Sequence, residues 1–328
     1  MENKDLRKIQ EMGGGTALIS LPKSWVRKNN LKKGSVVSIE SSSDRLIISP
    51  HSSEQREPKE ITLEYPPKHL HNLLNEITAA YLLGYHIIRI AGKDRVSYSD
   101  RDTIKNAMKF LMGLEIVEED AHTITIQFLL EPSNIHPDKL FMRMHAITSG
   151  MHKDLLTACI ENDAKLLKDI RGRDDDVDRL YFLLVRIIRS AVQDPMLAAK
   201  FGMSPIDCLD YRVAANVLEA IGDASARAAE SSESELNFSE EDKNLLNKVG
   251  SMLTEIQDSA VKALLTKKAS EARRVVELHA ELKENIAKHV DVEKKANFLA
   301  ELLSTMNSVA RLCVDIADLA VPLYPTVR

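Results

Sequence analysis

Aromatic residues are scarce in this chain. They make up 5% of its 328 residues, with a single Trp, which disfavours a large β-sandwich and favours a helix-rich protein packed with Leu and Ala. The three cysteines, Cys159, Cys208 and Cys313, are scattered through helical patterns. They read as reduced core residues of a cytoplasmic protein. No segment approaches roughly 18 uninterrupted apolar residues, so no membrane insertion is expected. The opening MENKDLRKIQ has no signal-peptide core. The triple glycine Gly13-Gly14-Gly15 is not followed by Gly-Lys-Ser/Thr, and no G-x-G-x-x-G is complete, so no phosphate-cradling loop is indicated.

A basic excess is also missing overall, since the net charge is −5. Its distribution is uneven. Residues 1–50 hold nine Lys/Arg against five acids, an excess of +4, so the remainder carries −9. A basic head on an acidic body points to a polyanion bound at one end.

Residues 1–50 read as a small β domain. Asp5–Met12 and Thr16–Leu21 are expected strands, and Pro22 fits the first turn of a helix over Lys23–Asn30. Leu31-Lys32-Lys33-Gly34 is a turn, and Val36–Glu40 and Leu46–Ser49 form a hairpin. So few residues in short strands make a poor independent core, and dimerisation is expected. Residues 50–59 read as a linker. Residues 60–131 read as a small α+β domain, with strands Ile61–Tyr65 and Tyr85–Ala91 and a hairpin of Glu115–Glu118 with Thr123–Leu130. Its helices are Pro67–Leu83, closed by Gly84, and Ser99–Met112, capped by Ser99. Its histidines lack metal spacing, and it suits a ligand-binding or dimerising spacer.

From Asp138 the pattern is helical: Asp138–Glu161, Asp163–Gln193, a loop over 194–203, a helix opened by Ser204-Pro205-Ile206-Asp207, a Ser/Glu linker at Glu230–Asn237, and helices opened by Ser239, near Lys268–His289 and from Asp291 to Leu319. Six helices divided by an acidic linker suggest a duplicated three-helix unit, 138–230 and 239–328. A shift of 105 aligns Ala158 with Ala263 and Ala164 with Ala269, and a shift of 95 aligns Ala215, Ile221 and Asp223 with Ala310, Ile316 and Asp318.

Within this region Ile170, Val177, Tyr181, Leu184 and Ile188 form a core-facing stripe. Asp174 falls where that stripe needs an apolar residue, and Asp178 lies one turn on. Glu219 and Asp223 repeat the i,i+4 pairing on another helix. Like charges at this spacing repel, and a carboxylate on a packed stripe loses solvation. A metal ion would offset both costs, and four facing carboxylates make a hard, oxygen-rich site. The plain alternative is a charge run neutralised by Arg171, Arg173, Arg179 and Arg212. A di-iron oxygenase would need Glu-x-x-His pairs, and no such pair sets a histidine beside Asp174 or Glu219. No aromatic platform for a sugar is visible, and the chain is not expected to be an enzyme.

Two resemblances sharpen this reading. RKIQEMGGGTALISLPKSW followed by LKKGSVVSIE resembles the AbrB/SpoVT family of swapped-hairpin DNA-binding domains. The resemblance implies a dimer of interleaved hairpins, with Arg7, Lys8, Lys23 and Arg27 presented to DNA. Asp174-Asp-Asp-Val-Asp178-Arg-Leu-Tyr181 and Leu218-Glu219-Ala-Ile-Gly-Asp223 resemble the signature of the PhoU family of phosphate-uptake regulators. That implies a six-helix bundle with a metal at Asp174, Asp178, Glu219 and Asp223, iron or zinc foremost, magnesium or manganese as alternatives. By the offsets, their counterparts in the second half are His279, Lys283, Val314 and Asp318, so a second full cluster is not expected.

The whole chain is similar to an archaeal-type PhoU regulator joined to an AbrB-like head. The expected fold is mainly α: an N-terminal swapped-hairpin β domain, a small α+β middle domain at 60–131 and a PhoU-like bundle of two three-helix repeats. The expected function is a cytoplasmic, homodimeric, phosphate-responsive transcription regulator of phosphate uptake. The alternative is a signalling adaptor that docks on a phosphate transporter or sensor kinase without binding DNA.

Overall fold

A computed structural model of the chain describes residues 6–12, 15–41, 46–50, 58–232, 238–289 and 298–320. Residues 51–57 of the linker expected at 50–59, most of the turn expected between the Val36–Glu40 and Leu46–Ser49 strands, and the start of the last expected helix lie outside them. The chain divides into two compact units, residues 1–57 and 58–328.

The first unit is two antiparallel hairpins and a short helix. Strands β1 (Gln10–Met12) and β2 (Thr16–Leu18) pair, as do β3 (Val37–Ser41) and β4 (Leu46–Pro50). Helix α1 spans Lys23–Lys28 with Pro22 as N-cap. The helix is shorter than expected, because Asn30 adopts a left-handed φ of 52° just beyond its end. The Leu31–Gly34 turn is present, closed by Ser35 N–H donating to the Lys32 carbonyl at 2.9 Å, with Gly34 at a φ of 90°. None of the described residues in this unit is buried.

In the second unit a four-stranded sheet has the order β5-β6-β8-β7. Its strands are β5 (Glu60–Tyr65), β6 (Ile87–Gly92), β7 (Leu114–Glu119) and β8 (Thr123–Phe128). β5 and β6 are parallel, and the other pairings are antiparallel. Helices α2 (Leu70–Leu82) and α3 (Tyr98–Met108) complete the layer. Gly84 follows α2 with a φ of 81°, as its closing role requires. The cap of α3 is Ser97, which accepts from Asp100 N–H, and not Ser99. The Ser99 hydroxyl is engaged with that of Ser97 instead.

The bundle comprises α4 (Pro137–Glu161), α5 (Ala164–Gln193), α7 (Pro205–Ser231), α8 (Glu240–Thr266), α9 (Ala269–His289) and α10 (Phe298–Asp318). The stretch expected as a loop at 194–203 contains a further short helix, α6 (Pro195–Phe201). Asp194 caps it, Pro195 fits its first position and Gly202 closes it at a φ of 66°. Ser204 and Ser239 each form the capping box read from the sequence, with Asp207 and Asp242. Cys159, Cys208 and Cys313 are buried and free.

The duplication is visible in detail. Helices α4, α5 and α7 pack mutually, as do α8, α9 and α10, and the sets meet through α4–α8 and α7–α10, which are pairs of equivalent helices. Asn162 and Lys267, equivalent under the shift of 105, both take a left-handed φ, 56° and 55°, at the ends of α4 and α8. His152 and Gln257 are also separated by 105, and they touch at the interface between the repeats, His152 Nε2 lying 2.8 Å from Gln257 Oε1.

The surrounding polar groups fix their roles. His145 Nε2 lies 3.1 Å from Asp258, which makes it the protonated nitrogen and leaves Nδ1 to accept from Gln257 Nε2 at 3.1 Å. Gln257 Nε2 also donates to Thr148 Oγ1 at 2.8 Å. His152 then donates from Nε2, and its buried Nδ1 has no partner among the described residues. Burial holds His152 neutral, with its pKa pushed down to about 4. A histidine depressed in this way stabilises the fold above its unfolded pKa of about 6.5, and that contribution is lost as pH falls towards 4. The loss should reach roughly 3 kcal/mol. Denaturant midpoints measured across that window should fall for the wild type. They should fall less for His152→Gln, and parallel profiles would refute the assignment.

Candidate metal centre

Helix α5 is buried on two faces. Ile170, Val177, Leu184 and Ile188 enter the bundle core, as the stripe predicts, with Tyr181 at its edge. Leu183 and Ile187 enter a second core, formed with the sheet, α2 and α3. Arg186, 1% exposed, lies between those two residues. Its guanidinium donates to the carbonyls of Tyr81 and Tyr85 and stacks over Phe128, 3.8 Å from the ring centroid. The carbonyls at the end of α2 carry the negative pole of that helix, which suits a cation. The sequence reading missed this residue. The one available signal was its place between Leu183 and Ile187, on a run of α5 apolar on more than one face, and that does not single out an arginine.

The bundle-facing side of α5 meets α7. Asp178, Glu219 and Asp223 each bring a carboxylate oxygen within 4.8 Å of the others. All three are half-buried. Asp174 lies outside this set. Its Oδ1 is buried without a hydrogen-bond partner among the described residues. A Cβ on Gly222 would stand 3.2 Å from it. Glycine inside a helix costs roughly 1 kcal/mol relative to alanine, and here it leaves room for the Asp174 carboxylate and for Val177.

Burial and mutual repulsion raise the pKa values of Asp174, Asp178 and Glu219. Burial first, then Asp223 and Asp178, raises Asp174 to about 6. Burial first, then Asp223, Asp178 and Asp174, raises Glu219 to about 7. Asp178 is also raised, by burial and then Asp223 and Asp175. Three of the four arginines named from the sequence take other partners. Arg173 bonds Asp154 at 2.6 Å, Arg179 lies 3.6 Å from Asp176, and Arg212 stacks on Tyr181. Arg227, which the sequence reading did not single out, pairs with Asp223 at 3.1 Å. It stands one turn after Asp223, the usual spacing for such a pair. In the second repeat, His279 and Lys283 lie on α9 and Val314 and Asp318 on α10, with His279 Nε2 3.2 Å from Asn307 Oδ1.

The donor set fits a cation. An ion held at about 2.1–2.5 Å from each oxygen can span carboxylates at this separation. All three donors are hard oxygens, which suits magnesium, manganese or ferric iron better than the nitrogen and sulfur sets usual for zinc. The basic residues named for DNA contact, Arg7, Lys8, Lys23 and Arg27, are exposed in the first unit, with Lys23 and Arg27 on α1.

Comparison with known proteins follows this division. Residues 141–232, the repeat that bears the acids, match the family model of the PhoU domain. Residues 12–56 match that of antidote-toxin recognition MazE, bacterial antitoxin, a MazE/AbrB-like domain. Among solved structures, PhoU from Pseudomonas aeruginosa aligns over 56% of this chain and 93% of its own, at 12% identity and a TM-score of 0.42. No curated protein matches the chain.

Acids with raised pKa values stabilise the fold while protonated, and that contribution is lost as pH rises through about 6 and 7. A bound cation replaces the protons and restores it. Millimolar Mn²⁺ should therefore raise the melting midpoint at pH 7.5, by roughly 2–5 °C, and do little at pH 5. Glu219→Gln should raise the metal-free midpoint at pH 7.5 and weaken the Mn²⁺ response. A wild-type midpoint indifferent to Mn²⁺ and chelator at pH 7.5 would remove the metal from this site.

Proposed function

We propose that this protein is a phosphate-responsive, DNA-binding transcription regulator of phosphate uptake. In this reading it acts in the cytoplasm as a homodimer and is not an enzyme. The observation that carries the reading is a basic hairpin unit with no buried residue among those described, on the same chain as a PhoU-domain match. Ile9, Met12, Ile39 and Leu46 are 71%, 57%, 61% and 63% exposed. Apolar side chains at that exposure on or next to paired strands suit burial against a second copy. Lys and Arg on the dimer would neutralise DNA phosphates and make binding salt-dependent. In the second unit, a hard cation on Asp178, Glu219 and Asp223, with Asp174 beside them, would supply fixed positive charge for an anion such as phosphate. The PhoU match also fits an adaptor that docks on a phosphate transporter or sensor kinase without touching DNA.

DNA occupancy across the genome at high and low phosphate tests the function. Sites that gain or lose the protein with phosphate support it, and an absence of bound sites favours the adaptor. In solution, Ile39→Asp should yield a monomer that no longer retains DNA. Lys23→Glu should keep the dimer, weaken binding to all sequences and reduce the salt slope by about 1 for each of the two copies. Wild-type protein that is monomeric, or a Lys23→Glu slope equal to wild type, would refute the assignment.

A further inference from the structure

We propose that the cleft between α3, the start of β7 and α5 binds a small phosphorylated ligand with an aromatic body, of nucleoside-monophosphate size. Arg179 and Lys109 would hold its phosphate. The inference rests on the second unit alone and does not depend on DNA or metal binding.

The cleft measures about 390 Å³ and joins the sheet layer to the bundle helix. That volume lies in the range of small-molecule pockets. Its floor is apolar: Met108, Leu111 and Leu114 are buried, and Met112 and Ile116 are half-buried. Two methionine side chains in one floor suit an aromatic ring, because thioether sulfur packs favourably against ring edges. Its rim is cationic. Lys105, Lys109 and Arg179 face one acid, Glu115.

The three cations are not equally engaged. Lys105 is held by Glu119 at 3.3 Å. Among the described residues Lys109 bonds the neutral Asn106 Oδ1, at 2.8 Å. Arg179 reaches Asp176 only at 3.6 Å, and its Nε is buried with no hydrogen-bond partner among the described residues. The Arg179 side chain is nonetheless 44% exposed, so its guanidinium can take a phosphate oxygen from the cleft. The lysines alone have a plainer role, since cations are favoured at the end of a helix such as α3. That role does not extend to Arg179, which comes from α5. A guanidinium paired with a lysine gives the forked, charge-assisted contact that phosphate takes.

The test is calorimetric titration of the full chain, metal-free, with the common ribonucleoside 5′-monophosphates and with inorganic pyrophosphate. At least one nucleotide should bind in the micromolar to millimolar range and more tightly than pyrophosphate. The double variant Arg179→Gln/Lys109→Gln, on exposed or half-exposed positions, should keep the wild-type melting midpoint and bind that nucleotide at least about tenfold more weakly. Lys23→Glu, in the other unit, should bind it as wild type does. No nucleotide binding at millimolar concentration overturns the proposal. So does undiminished binding in the double variant. Pyrophosphate bound as tightly as any nucleotide also overturns it, because charge alone would then suffice.

Discussion

The buried guanidinium of Arg186 decides how the second unit is built. A cation inside protein needs partners for its charge, and here backbone carbonyls at the end of α2 accept from both terminal nitrogens while the faces of Tyr81 and Phe128 cover the guanidinium; only Nε is without a hydrogen-bond partner among the described residues. Burial lowers its pKa only to about 10, so it remains charged at neutral pH. Those contacts fix the rotation of α5 about its axis. With Arg186 turned to the sheet, Asp178 is turned to α7. The rotation that satisfies the cation also places carboxylates in a half-buried position, where they repel. The sheet layer thus sets the geometry of the acidic site, although it contributes no carboxylate to it.

A second constraint lies where the repeats meet. Equivalent helices face each other, so identical side chains would face identical side chains. Two histidines in the place of His152 and Gln257 would compete for one proton between them. The pair observed instead offers one donor and one acceptor, and Gln257 uses its amide nitrogen to reach His145 and Thr148 on α4. Neutral, interlinked groups avoid the desolvation cost of an ion pair and hold the two helices in one register. The repeats have diverged more sharply at the acidic positions. His279, Lys283 and Val314 stand where the first repeat has Asp174, Asp178 and Glu219, so repulsion of the kind that raises Glu219 and Asp174 is concentrated in the first.

The two units solve the problem of burial differently. Residues 58–328 bury large aliphatic side chains in two adjoining cores. The first unit has short strands and few residues, and its described apolar side chains remain accessible. A sheet of that size has one apolar face and too little chain to cover it. Its local structure comes from turns and caps, such as the Lys32–Ser35 turn with Gly34 at positive φ, more than from a core.

Local chemistry made much of the fold legible in the sequence. Ser204 and Ser239 announced helix starts because a capping box is complete within four residues. The duplication was legible because shifts of 105 and 95 pair Ala158 with Ala263 and Ala215 with Ala310, all fully buried. Asp174 was legible as a carboxylate on a packed stripe, and Glu219 with Asp223 as a second i,i+4 acidic pair. What the sequence left open depended on distant partners. The cap of α3 moved to Ser97 because neighbouring serines compete for one role, and α6 appeared where Pro195 and Gly202 bracket a run too short to show periodicity. Arg186 looks like any surface arginine until α2 and β8 surround it. The choice of Asp178, Glu219 and Asp223 as the converging acids, with Asp174 against Gly222, follows from how α5 and α7 cross. Side-chain chemistry and short-range spacing belong to the sequence. Which face of a helix is buried, and which charges meet across it, belong to the packing of elements far apart in the chain.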